Sequence, residues 1–120
     1  GIYVTPVLTD DAEVRIGSIS SVSDVVEPGA SLLGAAPNPF NPRTTIAFEV
    51  TRLQEVTLRV FDLNGRLVRT LVAGDTRNPG PHEVVWNGKD DAGRQVASGM
   101  YYYRLEAGRF SETKRMVLVK

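Results

Sequence analysis

His82 is the one histidine of the chain and the residue whose type best suits acid–base catalysis. It lies in the stretch Gly-Pro-His-Glu-Val, and a Ser-His-Asp triad would need it as the general base. No Gly-x-Ser-x-Gly nucleophile elbow accompanies it, and Ser98 and Ser111 lie in expected turns. We therefore interpret His82 as a structural residue at the start of a strand.

Asp90 and Asp91 follow Asn87 in a polar loop and could supply carboxylate ligands to a calcium ion. The loop departs from the EF-hand pattern, because Lys89 occupies a would-be ligand position and Ala92 stands where glycine is required. Aspartates favour turns because their side chains accept hydrogen bonds from nearby backbone amides. We interpret the pair as turn-forming residues.

Composition excludes several other kinds of site. The 120 residues contain no cysteine, so disulfides, thiolate zinc sites, iron–sulfur clusters and a cysteine nucleophile are excluded. No glycine-rich phosphate loop leads into Lys-Ser/Thr. Glu49 and Glu106 fall on outward strand positions, whereas glycoside hydrolysis needs two acids converging on a cleft. We expect a protein that is not an enzyme and binds no cofactor or metal.

Three consecutive tyrosines, Tyr101 to Tyr103, could form a stacking platform for sugars or bases. Strand alternation instead sends Tyr101 and Tyr103 to one face and Tyr102 to the other. Packing in the core or across strands is the role that we favour. An adhesion module stays open as an alternative function.

The net charge of the chain is zero, but the charges are unevenly distributed. Residues 1–33 carry five acids and one arginine, whereas residues 34–120 carry nine acids and thirteen bases. The arginines are scattered, while nucleic-acid binding favours a dense basic patch. The longest uncharged stretch, residues 28–42, contains four prolines and so predicts no membrane helix. We expect neither nucleic-acid binding nor membrane insertion.

Period-two alternation of apolar residues dominates the second part of the chain and predicts an all-β fold. The expected strands are 44–50, 56–62, 66–72, 82–87, 100–107 and 110–119, with a seventh from the region 32–40. Asn64-Gly65 predicts a type I′ hairpin turn, and the glycine-rich stretches predict a loop at 73–81 and a long turn at 88–99. Short strands joined by such turns indicate an antiparallel β-sandwich.

Residues 1–33 differ in pattern and predict an extended connector or N-terminal strand segment, with residues 34–120 as the sandwich. Short β-like pieces are expected at Ile2–Leu8 and Val14–Val22. This segment could be the tail of a preceding domain, or it could add a strand to a sheet edge of its own or another copy. Gly1 in place of methionine indicates a processed chain or an excised fragment.

Motifs in the second part of the chain resemble those of a known family. They are Pro37–Pro42 followed by Thr44–Ile46, then Val60–Val68, His82–Gly88, Asp90–Tyr101 and Lys114–Lys120. In this order they resemble the type A C-terminal sorting domain of the type IX (Por) secretion system. That domain is similar to the immunoglobulin-like domain of the flagellar hook-capping protein. The resemblance does not include residues 1–33.

The resemblance implies an immunoglobulin-like sandwich of about seven strands that is secreted or held at the bacterial cell surface. It implies a non-catalytic domain that directs secretion across the outer membrane, with translocon and sortase proteins as partners. The residues that it implies for partner recognition are Pro37, Asn38, Pro39, Phe40, Asp62, Gly65, Arg66, Gly99, Tyr101, Lys114, Val117, Val119 and Lys120. A self-assembling extracellular fibre subunit, joined to other copies by N-terminal strand addition, is the alternative.

Overall fold

The computed structural model of the chain describes residues 2–4, 7–9 and 29–120. Near the N-terminus, β1 (Ile2–Val4) pairs antiparallel with β2 (Val7–Thr9), so two short strands occupy the β-like piece expected there. The piece expected at Val14–Val22 lies outside the described residues. Within the described ranges, no helix is long and apolar enough to cross a membrane.

Seven strands between residues 30 and 118 form two antiparallel sheets. They are β3 (Ala30–Ala36), β4 (Thr44–Val50), β5 (Gln54–Phe61), β6 (Leu67–Arg77), β7 (Gly80–Trp86), β8 (Gly99–Ala107) and β9 (Phe110–Leu118). The larger sheet has the order β9-β8-β5-β6, and the smaller sheet has the order β3-β4-β7. This arrangement confirms the predicted all-β sandwich.

The core lies between the two sheets and follows the predicted alternation. On β4, Ile46 and Phe48 are fully buried, whereas Glu49 is exposed. On β8, Tyr101 and Tyr103 are buried and Tyr102 faces outward, as expected. Removing these apolar side chains from water is the main force that holds the two sheets together.

The last strand, β9, is apolar on both sides near its end, so the sequence alone does not assign its inward face. The structure buries Met116 and Leu118 and leaves Val117 partly exposed on the outer face. Register explains this choice: Met116 pairs with the buried Tyr101, and paired residues share a face. Val119 follows the strand and is 47% exposed.

The hairpin between β5 and β6 differs from the predicted type I′ turn at Asn64-Gly65. The Gly65 amide donates to the Asp62 carbonyl over 3.0 Å, which places Leu63 and Asn64 at the centre of the turn. Gly65 follows with a φ of 82°, the pattern of a three-residue loop that ends in a left-handed glycine. The prediction was wrong because the Asp62 side chain also accepts local amides and moves the turn toward the N-terminus.

The loop predicted at 73–81 was also wrong, because β6 continues to Arg77. Gly74 has a φ of 64° and lies between the residues paired with Val56 and Thr57, so it forms a β-bulge. Its amide donates to the Thr57 hydroxyl over 3.1 Å. The glycine therefore bends the strand where the sequence pattern suggested that the strand ends.

The sandwich extends to the N-terminal side of residue 34. β3 begins at Ala30, and both Ala30 and Leu32 are buried in the core. Gly29 accepts a hydrogen bond on its carbonyl from the Gln54 side chain and another from the Thr51 amide. Residues 29–33, expected in the connector, thus belong to the packed part of the chain.

A matched pair of leucine substitutions tests the position of the core. Leu58→Ala should lower the free energy of unfolding by about 2–5 kcal/mol, because it leaves a cavity around a fully buried position. Leu53→Ala makes the same chemical change at a side chain that is 61% exposed, and should cost less than about 0.5 kcal/mol. Urea unfolding of the two variants measures both, and equal losses would contradict the assigned core.

Candidate functional site

A proline-rich segment and the end of the chain form one structural unit, which we call the tail clasp: residues 37–40 together with residues 115–119. The Phe40 amide donates to the Val117 carbonyl, and the Val119 amide donates to the Phe40 carbonyl, both over 2.9 Å. Phe40 and Leu118 therefore form a parallel bridge beside β9. The clasp covers the outer edge of the larger sheet at its C-terminal end.

Asn38 binds the tail through its side chain rather than its backbone. Its Oδ1 accepts the Val117 amide over 3.0 Å, and its Nδ2 donates to the Arg115 carbonyl over 3.3 Å. One carboxamide thus satisfies both a donor and an acceptor of an edge strand. Since Pro37 and Pro39 lack an N–H, a side chain can supply the donor that the backbone on either side cannot.

Phe40 anchors this segment in the core, where its side chain is only 2% exposed. The ring lies 5.6 Å from the Trp86 ring, which in turn lies 5.4 Å from the Tyr101 ring. The Thr44 hydroxyl donates to the Pro37 carbonyl over 2.8 Å and fixes the other end of the segment. The exposed residues of the motif, Pro37 to Pro39, are thereby held on a rigid support.

The C-terminal residues predicted for recognition separate into two places. Val117, Val119 and Lys120 lie at the clasp, and the Lys120 amide donates to the Ser98 hydroxyl over 3.2 Å. Lys114 lies farther back on β9, on the side that faces the other sheet, with its ammonium 3.6 Å from Glu112. Glu112 Oε1 also accepts the Leu32 amide, so Lys114 contributes to the contact between the sheets and not to the clasp.

The turn at Asp62 to Arg66 is closed by one aspartate side chain. Asp62 Oδ1 accepts the amides of Asn64 and Arg66 over 2.9 and 3.0 Å, and the Asp62 amide donates to the Arg66 carbonyl. The Arg66 guanidinium folds back, with its Nε 3.3 Å from Asp62 Oδ2. The guanidinium nevertheless stays at the surface, because the Arg66 side chain is 80% exposed.

The turn at Asp90 to Arg94 repeats this arrangement bond for bond. Asp90 Oδ1 accepts the amides of Ala92 and Arg94 over 3.0 and 2.9 Å, and Arg94 Nε lies 3.4 Å from Asp90 Oδ2. Gly93 has the same φ of 82° as Gly65. The Arg94 side chain is 81% exposed. The sequence contains Asp-x-x-Gly-Arg at both places, a signal that could have identified Arg94 as an equivalent of Arg66.

The two turns flank one open depression of about 320 Å³, which we call the turn-pair surface. It is lined by Asp62, Arg66, Leu67, Val68, Asp90, Val96 and Tyr101. Tyr101 donates its hydroxyl to the Ala97 carbonyl over 2.6 Å, which fixes the loop before β8 against the core. A smaller adjacent depression adds Ser98 and Gly99. The structure therefore brings the predicted residues Asp62, Arg66, Gly99 and Tyr101 together, with Gly65 in the same turn.

Hydrogen bonding keeps both turn carboxylates ionised. The bond from the Arg66 amide lowers the pKa of Asp62 below its ordinary value of 3.8, and the bond from the Arg94 amide lowers the pKa of Asp90 in the same way. Burial has the opposite effect on the phenols of the core, where it raises the pKa of Tyr101 and Tyr103. At neutral pH each turn therefore contains a carboxylate paired with a guanidinium.

The remaining candidates of the sequence have structural partners. His82 Nε2 lies 2.8 Å from the Asn78 carbonyl, and its ring stacks on Phe48 at 5.3 Å. Asp91 Oδ1 accepts the Thr70 amide over 3.0 Å and ties its loop to β6. The turn role predicted for Asp90 is confirmed by the amides that it accepts. Among the described residues, no three His, Asp or Glu side chains cluster closely enough to hold a metal ion.

Comparison with known proteins identifies the domain type. Residues 39–110 match the family model described as the FlgD Ig-like domain. The chain belongs to the FlgD Ig-like domain family. It is 33% identical over 87 residues to the basal-body rod modification protein FlgD of Salmonella typhimurium, covering 69% of this chain and 37% of that protein. The chain thus spans little more than a third of this curated relative.

Two solved structures share the fold of this FlgD-type domain. PorU of Porphyromonas gingivalis, crystallised as a latent dimer, superposes with a TM-score of 0.65 at 22% identity, over 82% of this chain and 10% of that chain. PorZ, a surface component of the type-IX secretion system of the same organism, gives a TM-score of 0.53 at 21% identity, over 74% of this chain and 11% of that chain. At these identities the likeness establishes the fold alone.

A substitution in the clasp tests the role of Asn38. Asn38→Ala removes the acceptor of the Val117 amide, and should lower the free energy of unfolding by about 1 kcal/mol. Hydrogen exchange of the Val117 amide should accelerate, while that of Leu105 in the core should change only with global stability. Asn41→Ala, in the same segment but outside the clasp, is the matched control. Unchanged exchange at Val117 in Asn38→Ala would contradict the proposed contact.

The lowered pKa values of the turn aspartates predict a pH dependence of stability. A carboxyl whose pKa falls on folding stabilises the native state above the unfolded value of 3.8, and this contribution is lost as the pH drops through the folded value. Asp62→Asn should therefore be less stable than the parent at about pH 6, and the difference should shrink at about pH 2.5. Urea midpoints at both pH values measure it, with Asp75→Asn on β6 as a control. A difference that stays constant with pH would rule out the ionised turn.

Proposed function

We propose that this FlgD-type domain directs an exported bacterial protein across the outer membrane and attaches it at the cell surface, without catalysing a reaction itself. The observation that carries the proposal is the tail clasp. It holds the C-terminal residues in a fixed shape while Asn38, Val119 and Lys120 remain exposed. A receptor that must recognise many different passengers needs such a defined, folded signal.

The clasp determines how a receptor would engage the tail. From Arg115 to Val119 the backbone groups on the free side of β9 already bind Asn38 and Phe40. Addition of a receptor strand at this edge is therefore blocked while the clasp is closed. We infer that the receptor contacts the outward side chains of the clasp, with the 47% exposed Val119 at the centre of the contact.

The comparisons support this proposal at the level of the fold. The PorZ protein is described as an essential bacterial surface component of the type-IX secretion system, and its structure contains a domain of this shape. The matched family region, residues 39–110, includes neither Asn38 nor the tail beyond residue 110. The clasp thus joins two segments outside that region, as expected for an element with a specialised task. On this proposal the chain is secreted or surface-bound, and its partners are translocon and sortase proteins.

The contacts of His82 support a non-catalytic role. Its Nε2 is occupied by the Asn78 carbonyl and its ring packs on Phe48, so it is not free to act as a general base. The aspartates of the turns are likewise engaged by backbone amides. These side chains support a domain that works by being bound.

A role in the assembly of a rod- or fibre-like structure is the second candidate. It is favoured by the family match and by the 33% identity to a protein named for basal-body rod modification. Sedimentation of the purified chain at increasing concentration separates the two roles. Assembly predicts growing oligomers, whereas a sorting domain should remain monomeric until its receptor is added.

A reporter experiment tests the sorting role. A fluorescent protein is fused to the N-terminus of the full 120-residue chain and expressed behind a signal peptide in a bacterium with type IX secretion. The parent fusion should reach the cell surface or the medium. Val119→Asp should reduce that fraction by about tenfold, because it puts a charge into the inferred contact.

Leu33→Asp is the matched control, since it makes the same change at a side chain that is 56% exposed on β3 and outside the clasp. It should leave export unchanged. Thermal unfolding of both variants verifies that they remain folded. Retention of the parent fusion in the periplasm, or equal export of the two variants, would overturn the proposal.

A further inference from the structure

We propose that the turn-pair surface binds an acidic segment of a partner protein, with carboxylates on Arg66 and Arg94 and an apolar side chain between them. The inference rests on the recognition role proposed above, and it adds the chemistry of the partner. It also assigns a binding role to Arg94, which the sequence comparison with sorting domains did not single out. Four features of the two turns lead to it.

The first feature is that the turns themselves do not require arginine. In each turn the aspartate side chain accepts two amides and the glycine supplies a positive φ. The last residue contributes only its backbone amide and carbonyl to the closing bonds. Almost any residue could supply these groups, so the presence of arginine at both 66 and 94 needs a separate reason.

The second feature is that stability does not supply this reason. The ion pairs of Arg66 with Asp62 and of Arg94 with Asp90 have guanidinium groups that are 80% and 81% exposed. Ion pairs in such positions contribute little to the free energy of unfolding, because solvent screens them and the long side chain loses entropy. A role at the surface, toward a ligand, accounts for the arginines better than a role in folding.

The third feature is that each guanidinium is already oriented. The Nε atoms of Arg66 and Arg94 lie 3.3 and 3.4 Å from the carboxylates of their turns, which points the terminal nitrogens away from the turn. The two terminal N–H groups of an arginine match the two oxygens of a carboxylate in a bidentate pair. Because the side chain is fixed in advance, binding costs less conformational entropy.

The fourth feature is the balance of charge and apolar surface. Asp62, Arg66, Asp90 and Arg94 carry no net charge together, and a neutral surface does not favour polyanions such as nucleic acids or phosphate-rich lipids. Single carboxylates bound at hydrogen-bond distance suit it better. The floor of the depression includes Leu67, which is 49% exposed, together with Val68 and Val96. This wall fits an aliphatic side chain next to the carboxylates.

A titration with short peptides tests the site independently of secretion. The probe is acetyl-Glu-Leu-Glu-amide, and acetyl-Gln-Leu-Gln-amide is its uncharged counterpart. The side-chain Nε–H signals of the ¹⁵N-labelled full chain are followed by NMR. The signals of Arg66 and Arg94 should shift and saturate with the acidic peptide, at a Kd on the order of 1 mM, and the uncharged peptide should bind about tenfold more weakly.

Substitutions assign the effect to the two arginines. Arg66→Gln and Arg94→Gln should each weaken binding by about tenfold, and Arg66→Lys should bind nearly as weakly because an ammonium lacks the bidentate edge. Arg109→Gln removes the same charge from an exposed turn at the other end of β8 and should bind like the parent. Unchanged thermal unfolding of the variants excludes loss of the fold as the cause.

Equal affinity for the two peptides, parent-like binding by Arg66→Gln and Arg94→Gln, or an equal loss in Arg109→Gln would overturn the inference. Tighter binding of inorganic phosphate than of the acidic peptide would do so as well. The outcome is separable from that of the reporter experiment. Peptide binding without export would leave this site standing and remove the sorting role, whereas export without peptide binding would do the reverse.

Discussion

Phe40 makes the contact on which the rest of the sandwich depends. Its ring fills the core beside Trp86, while its backbone amide and carbonyl bind Val117 and Val119. One residue thus joins the segment that leads into the first long strands to the strand that closes the larger sheet. Because the bonded residues are more than seventy positions apart in sequence, the clasp forms only once both sheets are in place. The shape of the C-terminal end therefore reports that the whole domain has folded.

The strands and their buried faces followed from the sequence because side chains alternate along an extended chain. Ile46, Phe48 and Leu58 needed no further information than this period of two. The errors arose where a local side chain or glycine competes with the regular ladder. Asp62 captures amides that a two-residue hairpin would leave to the backbone, and Gly74 absorbs an extra residue inside β6. The extent of the connector was misjudged at Ala30, because a short stretch of small residues gives no clear alternation.

The candidate sites were predictable to different degrees. Resemblance to a family pointed to Asp62, Arg66 and Tyr101, and the structure places these three at one depression. Arg94 could have been found by comparing the two Asp-x-x-Gly-Arg turns within the sequence. The role of Asn38 could not, because its partners Arg115 and Val117 are fixed only by tertiary pairing. Lys114 shows the same limit, since its proximity to Glu112 between the sheets follows from the orientation of β9.

The irregular pairing of β5 with β6 affects how copies of this protein behave when crowded. Three shifts of register interrupt this ladder, and β6 is an outermost strand. An incoming chain finds no long, even row of amides and carbonyls to extend there, which is a common protection against amyloid-like growth. With the opposite border of the same sheet partly covered near Leu118, templated aggregation would have to start from the smaller sheet, at β3 or β7.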